Sequence, residues 1–160
     1  MPIGFMQPDT LSSNLVKIVP HATLYHFGIL TSTMHNAWMR TVCGRLKSDY
    51  RYSAGIIYNN FPWPDATDKQ QQATAATAQA VLDARAQFHT STLADLYDPL
   101  AMPPELLKAH QALDRTVDTA YGKKSFVTEA GRVAFLFDRY QQLTTLLPAV
   151  TAKKFRKLRL

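Results

Sequence analysis

Apolar residues run along this chain in two rhythms. Near the N-terminus they cluster in short blocks, "NLVKIVP" (residues 14–20) and "TLYHFGIL" (residues 23–30), broken by Pro20 and Gly28. Short β-branched and aromatic blocks between such residues predict strands. From Thr31 the rhythm becomes helical. Met34, Trp38, Val42 and Leu46 recur at helical spacing, with Met39 and Cys43 beside them. Thr31 or Ser32 can cap the first N–H groups of this helix. A polar turn, "KSDYRYSAG", then leads to a short predicted strand at Ile56–Tyr58.

The pattern changes at "FPWPD". Pro62 and Pro64 remove two backbone donors and push Phe61 and Trp63 into extended geometry. Asp65 or Thr67 is a good N-cap for the Ala- and Gln-rich stretch that follows. Its apolar stripe is Ala73, Ala80, Val81, Ala84 and Phe88. "STLADLY" predicts a short helical turn ended before Pro99. Pro103 and Pro104 suit the first turn of another helix, and Gly122 suits its C′ position. That helix carries Leu106, His110, Leu113, Val117 and Tyr121 as its stripe. A last helix spans about 128–147, lined by Val133, Phe137, Tyr140 and Leu147, with Ala130 and Thr144. The expected fold is α+β but mainly α: a small mixed β/α lobe over residues 1–64, then a three-helix C-terminal bundle over 65–150.

Composition adds limits. The 160 residues are 46% hydrophobic, enough for one domain or two small lobes sharing a core. There is no apolar run of membrane-spanning length and no basic-then-apolar leader, so no membrane partner is expected. A single cysteine, Cys43, excludes an intrachain disulfide framework and a Cys-rich zinc site. A reducing, cytoplasmic location is the simplest expectation. The net charge of +6 is uneven: +3 over residues 1–64, −2 over 65–150 and +5 over the basic tail 151–160. Ten residues therefore hold most of the basicity, and the charge alone does not indicate nucleic acid.

Several chemistries are missing. No two of the six glycines form G-x-G, so there is no dinucleotide or phosphate loop. Only two Glu occur, and Asp65, Asp68 and Lys69 read better as a helix start than as a metal-nuclease cluster. His21, His26 and His35 are spaced across different elements, which suits structural histidines rather than zinc. His35 and Cys43 lie eight residues apart on one helix, about 12 Å, too far for a nucleophile pair. "NNFPWP" echoes the Asn-Pro-Pro-aromatic loop that holds an extruded base, but the doubled Pro is absent.

Long strings carry a resemblance. "LYHFGILTSTMHNAWMRTVCGRLKSDYRYS", "IIYNNFPWP", "LDARAQF", "LADLYDPLAMPPELLKAHQALDRTVDTAYG" and "RVAFLFDRYQQLT" together resemble the C-terminal end of single-chain DNA methyltransferases of restriction–modification systems, the MmeI-like type IIG/IIL group. The resemblance covers about residues 2–147 and leaves the tail outside. It implies a segment holding the end of a DNA target-recognition domain (1–64) and a helical C-terminal domain (65–150). It also implies that the parent is an adenine-N6 methyltransferase using S-adenosylmethionine, with Mg for any nuclease activity. No cofactor and no catalytic residue is expected in this segment itself. Its implied partners are duplex DNA and the methyltransferase domain of the same parent chain. "YNNFPWP" then reads as a hinge and packing anchor between the two parts.

A recognition module must neutralise phosphates and read base edges. The candidate stretch is "RTVCGRLKSDYRYS", where Arg40, Arg45, Lys47 and Arg51 interleave with Tyr50 and Tyr52. Arg can fork onto phosphate or guanine, and Tyr can reach phosphate through its hydroxyl. The plainer reading is that the cations complement a helix C-terminus and the tyrosines pack. Lys123 and Lys124 read as a solvated turn, and His110 as packed. The competing function is a protein-interaction scaffold that packs on the rest of the enzyme with little DNA contact.

Overall fold

The structure, a computed structural model, describes residues 3–13, 16–47, 49–123 and 125–145. The basic tail, Leu147 and Lys124 lie outside them. Six helices, a two-stranded sheet and one π-helical turn are seen among the described residues. No described helix is long and apolar enough to cross a membrane. The mainly helical expectation holds, but several local expectations are corrected. "TLYHFGIL" is a helix, α1 (Leu24–Thr31), not a strand. Residues 16–20 form no strand. Ile56–Tyr58 belongs to a single π-helical turn, Ala54–Tyr58.

The α1 result follows from burial. Phe27, Gly28, Ile29, Leu30 and Thr31 are all buried, so the segment has no polar face and shows no helical period. At its start the Nδ1 of His26 accepts from the Thr23 backbone N–H at 3.2 Å. Ser32 is extended and ends α1, its hydroxyl donating to the Ile29 carbonyl at 2.6 Å. The same hydroxyl accepts from the His35 N–H and so caps α2 (Thr33–Val42). Asn36 donates back to the Thr31 and Ser32 carbonyls and closes the corner. The helix stops at Val42, short of Leu46, which lies exposed in a strand.

The C-terminal half begins with α3 (Asp68–Ala86), capped by Thr67 and Gln70 as a capping box. The α4 turn (Leu93–Leu96) and α5 (Pro104–Ala120) follow, with Gly122 at φ 74 just beyond α5. The last helix is α6 (Glu129–Thr144). On α3 the buried positions are Thr74, Ala78, Val81, Ala84 and Arg85, whereas Ala73 and Ala80 are exposed, so the face is turned from the expected one. On α6 the fully buried residue is Leu136 rather than Phe137.

The two halves share one core. Phe27, Met34, Trp38 and Phe61 pack in one cluster with Ala78, Val81, Leu106, Leu113, Val117 and Leu136. Helix α1 lies against α3 and α5, and α6 lies against α2. Gly28 marks the tightest approach. A Cβ there would sit 2.9 Å from Thr74 Cγ2, 3.2 Å from Ala78 Cβ and 3.3 Å from Leu113 Cδ1. This gives the small side chains of α3 a purpose: they let three helices meet closely. Gly28→Val is expected to destabilise the fold by about 3 kcal/mol through overpacking. Gly28→Ala should cost less, since better helix propensity returns about 1 kcal/mol. Denaturant midpoints of the two variants test this order.

"YNNFPWP" is a packing anchor. Phe61, Pro62 and Pro64 are buried. The Tyr121 hydroxyl donates to the Pro62 carbonyl at 3.1 Å. Arg139 donates to the Trp63 carbonyl at 3.1 and 2.8 Å and pairs with Asp65 at 2.8 Å. The Asn60 amide donates to the Gly55 and Ile56 carbonyls and closes the π-helical turn.

Candidate nucleic-acid interface

The stretch expected to be a polar turn is a β-hairpin. Strand β1 (Gly44–Leu46) pairs antiparallel with β2 (Asp49–Arg51), in the register Gly44↔Arg51, Arg45↔Tyr50 and Leu46↔Asp49. All six strand residues are exposed. Lys47, just after β1, takes φ 57, the left-handed region that tight hairpins use. Sequence gave little warning, because neither face is buried and the loop lacks Asn-Gly or Asp-Gly.

The six expected DNA-contacting residues fall into two groups. Arg45, Lys47, Tyr50 and Arg51 lie on the hairpin itself. The Arg45 guanidinium sits 4.4 Å from the Tyr50 ring centroid, so this cross-strand pair holds the cation on the ribbon face. Arg40 and Tyr52 lie at the hairpin's foot. Arg40, on the last turn of α2, pairs with Glu129 of α6 at 2.7 Å. Both side chains are more than a third exposed, so this pair contributes little stability but sets where the guanidinium points. Tyr52 is half-buried, with its hydroxyl 3.1 Å from His35 Nε2.

Between α2 and the hairpin is a cleft of about 350 Å³ lined by Asn36, Met39, Arg40, Asp49, Tyr50 and Tyr52. Asn36, Met39 and Arg40 share one α2 face by i, i+3, i+4 spacing. That spacing was readable, but nothing in sequence said a hairpin would face it. Asn36, Met39 and Asp49 are therefore cleft-lining residues that sequence reasoning missed. Burial, with some help from Tyr58, raises the Tyr52 phenol to about 12, so it stays a neutral hydroxyl.

His35 is fully buried beneath this cleft, with the Phe61 ring edge-on at a 4.6 Å centroid distance. Burial lowers it to about 3, so it is neutral. His110 is lowered to about 4, by burial first and then by Arg85. It lies 2.6 Å from the Tyr97 hydroxyl, which also accepts from Arg85, while Arg85 donates to the Ile3 carbonyl at 2.6 Å. A depressed folded-state value makes the unfolded chain bind the proton first. The stability these two residues contribute is full above pH 6.5 and is lost as pH falls toward 4 and then 3. Between pH 7 and 5, His35 alone is expected to remove about 2 kcal/mol. His110 is more exposed and should remove less. Urea midpoints from pH 7.5 to 4.5, with and without His35→Gln, test the assignment.

Among the described residues no group of three or more His, Cys, Asp or Glu is placed to hold a metal ion. Cys43 is a free thiol at the end of α2. Lys123 packs over the Phe135 ring at 5.2 Å, away from the hairpin in sequence.

The family model described as the MmeI target recognition domain matches residues 1–65, and the one described as the MmeI C-terminal domain matches residues 66–148. DNA methyltransferase A of Bacillus subtilis (strain 168) is 42% identical over 144 residues, which is 90% of this chain and 16% of that protein. The solved structure of the type IIL restriction–modification enzyme MmeI in complex with DNA is 54% identical, with a TM-score of 0.76 over 78% of this chain and 17% of that one. The chain thus spans about a sixth of the length of these relatives.

Proposed function

The chain belongs to the MmeI family, with part of a target recognition domain ahead of a C-terminal domain, and on that premise we propose that its β-hairpin is a DNA-contacting arm. The observation that carries this reading is the hairpin itself. It is an exposed two-stranded ribbon bearing Arg45, Lys47 and Arg51, fixed to α2 at both ends. A ribbon of this width fits the major groove of duplex DNA. Its cations neutralise phosphates or fork onto guanine, and Tyr50 holds Arg45 extended. The helical half has a bracing role, since α3 and α5 hold α1 while α6 holds α2.

The same reading extends to the larger protein. We infer a site-specific adenine-N6 DNA methyltransferase of a restriction–modification system, using S-adenosylmethionine, with Mg for any endonuclease activity. Its methyltransferase domain is the intramolecular partner, and its place is the cytoplasm. The residues of this segment supply positioning rather than chemistry.

Exposed apolar residues in the N-terminal segment favour a second reading. Phe5, Met6, Leu11, Val16 and Ile18 are all exposed there, which suits packing against other parts of the enzyme with little DNA contact.

Fluorescence anisotropy of a labelled duplex across a salt series separates the two. Residues 1–160 and 1–150 should both bind, with affinity falling steeply as salt rises. Arg45→Ala with Arg51→Ala should reduce the log–log salt slope by about 2, one per lost phosphate contact. Binding by the 160-residue form alone would assign the signal to the basic tail, and no binding by either would favour the packing reading.

A further inference from the structure

We propose that His35 is a positioning residue for DNA binding: its Nε2–H donates a hydrogen bond to the Tyr52 oxygen and accepts none from it, so that the Tyr52 hydroxyl donates into the α2–hairpin cleft, toward a DNA phosphodiester oxygen. This rests on the hairpin being a DNA-contacting arm.

The proton of the neutral His35 ring sits on one of its two nitrogens. Its Nε2 lies 3.1 Å from the Tyr52 hydroxyl, and its Nδ1 is buried with no hydrogen-bond partner among the described residues. The ring is neutral at working pH, because burial lowers it to about 3. One nitrogen therefore carries a proton and the other a lone pair. A proton on Nδ1 would be a buried donor with no acceptor, the rarer and costlier arrangement. The Nε2–H tautomer avoids this and donates to the tyrosine oxygen.

That choice fixes Tyr52. With its oxygen accepting from His35, its own proton must point elsewhere. No described residue accepts it. Tyr52 lines the cleft together with Arg40, whose guanidinium is already oriented by Glu129. The cleft opens beside the cationic hairpin, where a phosphate would be drawn. Asp49, which also lines it, limits how deep an anion can enter, so the contact belongs at the Arg40–Tyr52 side. A neutral hydroxyl, raised to about 12, remains a donor at any pH at which DNA binds.

A hydroxyl contact differs from an ionic one in a measurable way. It adds affinity without releasing a counterion, so its loss leaves the salt slope unchanged. The test uses the 160-residue chain, a labelled duplex, anisotropy over a salt series and thermal unfolding of each variant. Tyr52→Phe is expected to weaken binding about tenfold, the worth of one hydrogen bond to a charged acceptor, at an unchanged slope. His35→Leu should show the same loss, and the double variant no more than either alone. His35→Gln keeps an amide N–H near the Nε2 position and should bind within about threefold of the parent chain. Wild-type binding by Tyr52→Phe would sink the proposal, as would additive losses for Tyr52→Phe and His35→Leu. If His35→Leu fails to fold, Tyr52→Phe and His35→Gln still decide. Failure of the hairpin reading is a separate result: there, Arg45→Ala with Arg51→Ala would leave the salt slope unchanged.

Discussion

Replacing Trp38 by alanine is expected to remove about 4 kcal/mol of stability, a large share of what a domain this size holds. Trp38 is 2% exposed and sits where α2, α6, the π-helical turn and the "FPWP" segment meet. Its ring centroid lies 5.3 Å from that of Phe137, 5.8 Å from Tyr140 and 6.4 Å from Phe61. Its indole N–H donates to the Ile57 carbonyl at 3.1 Å. Truncation therefore opens a cavity and orphans a buried carbonyl together. Trp38→Phe keeps most of the apolar surface but loses the donor, and should cost about 1–2 kcal/mol. Because α2 is the main neighbour of α6, Trp38→Ala should also speed hydrogen exchange along 129–144 more than along α3. Equal protection of both helices would mean that α6 is held elsewhere.

This site shows why some of the fold was legible and some was not. Helix ends with local chemistry were readable. Thr67 caps α3 through a capping box, Pro104 opens α5, and Gly122 takes a left-handed φ after it. Each of those signals depends only on neighbours in sequence. The α5 stripe was readable because one face is buried and the other wet, and Leu106, Leu113 and Val117 are its fully buried members. Helix α1 defeated the same logic because its long buried run has no wet face to set a period. The hairpin defeated it for the opposite reason, having no buried face at all. Its basic residues were still readable as a cluster, since charge and aromatic interleaving are properties of the string. Their separation into four hairpin residues and two foot residues was not, because it depends on His35 and Glu129, 17 and 89 residues from their partners.

Arg132→Met is expected to cost about 3 kcal/mol at pH 7.5, with a pH dependence that identifies the cause. Arg132 of α6 pairs with Asp118 of α5 at 3.0 Å, with only 14% and 3% of the two side chains exposed. The Asp118 carboxylate also accepts from the Phe126 N–H at 3.1 Å, but its Oδ1 is buried without a partner. Asp114, one turn earlier on α5, accepts from the Thr33 N–H at 2.8 Å and so caps α2. Burial raises both carboxyls above their ordinary range, and Arg132 opposes that rise in each. Without Arg132 two buried acids remain a turn apart, and both are pushed further up. A raised folded-state value contributes stability that is full below the unfolded pKa near 4 and is lost as pH rises through the folded one. The gap between the variant and the parent chain should therefore be widest at neutral pH and narrow steadily toward pH 5. The effect of His35 and His110 is common to both proteins and cancels in that difference. Adding Asp118→Asn removes the stranded charge and should recover most of the loss at pH 7.5. If the double variant is no better than Arg132→Met, the cost lies in the lost packing of the guanidinium over the Phe126 ring, 5.5 Å away, and not in the buried carboxylate.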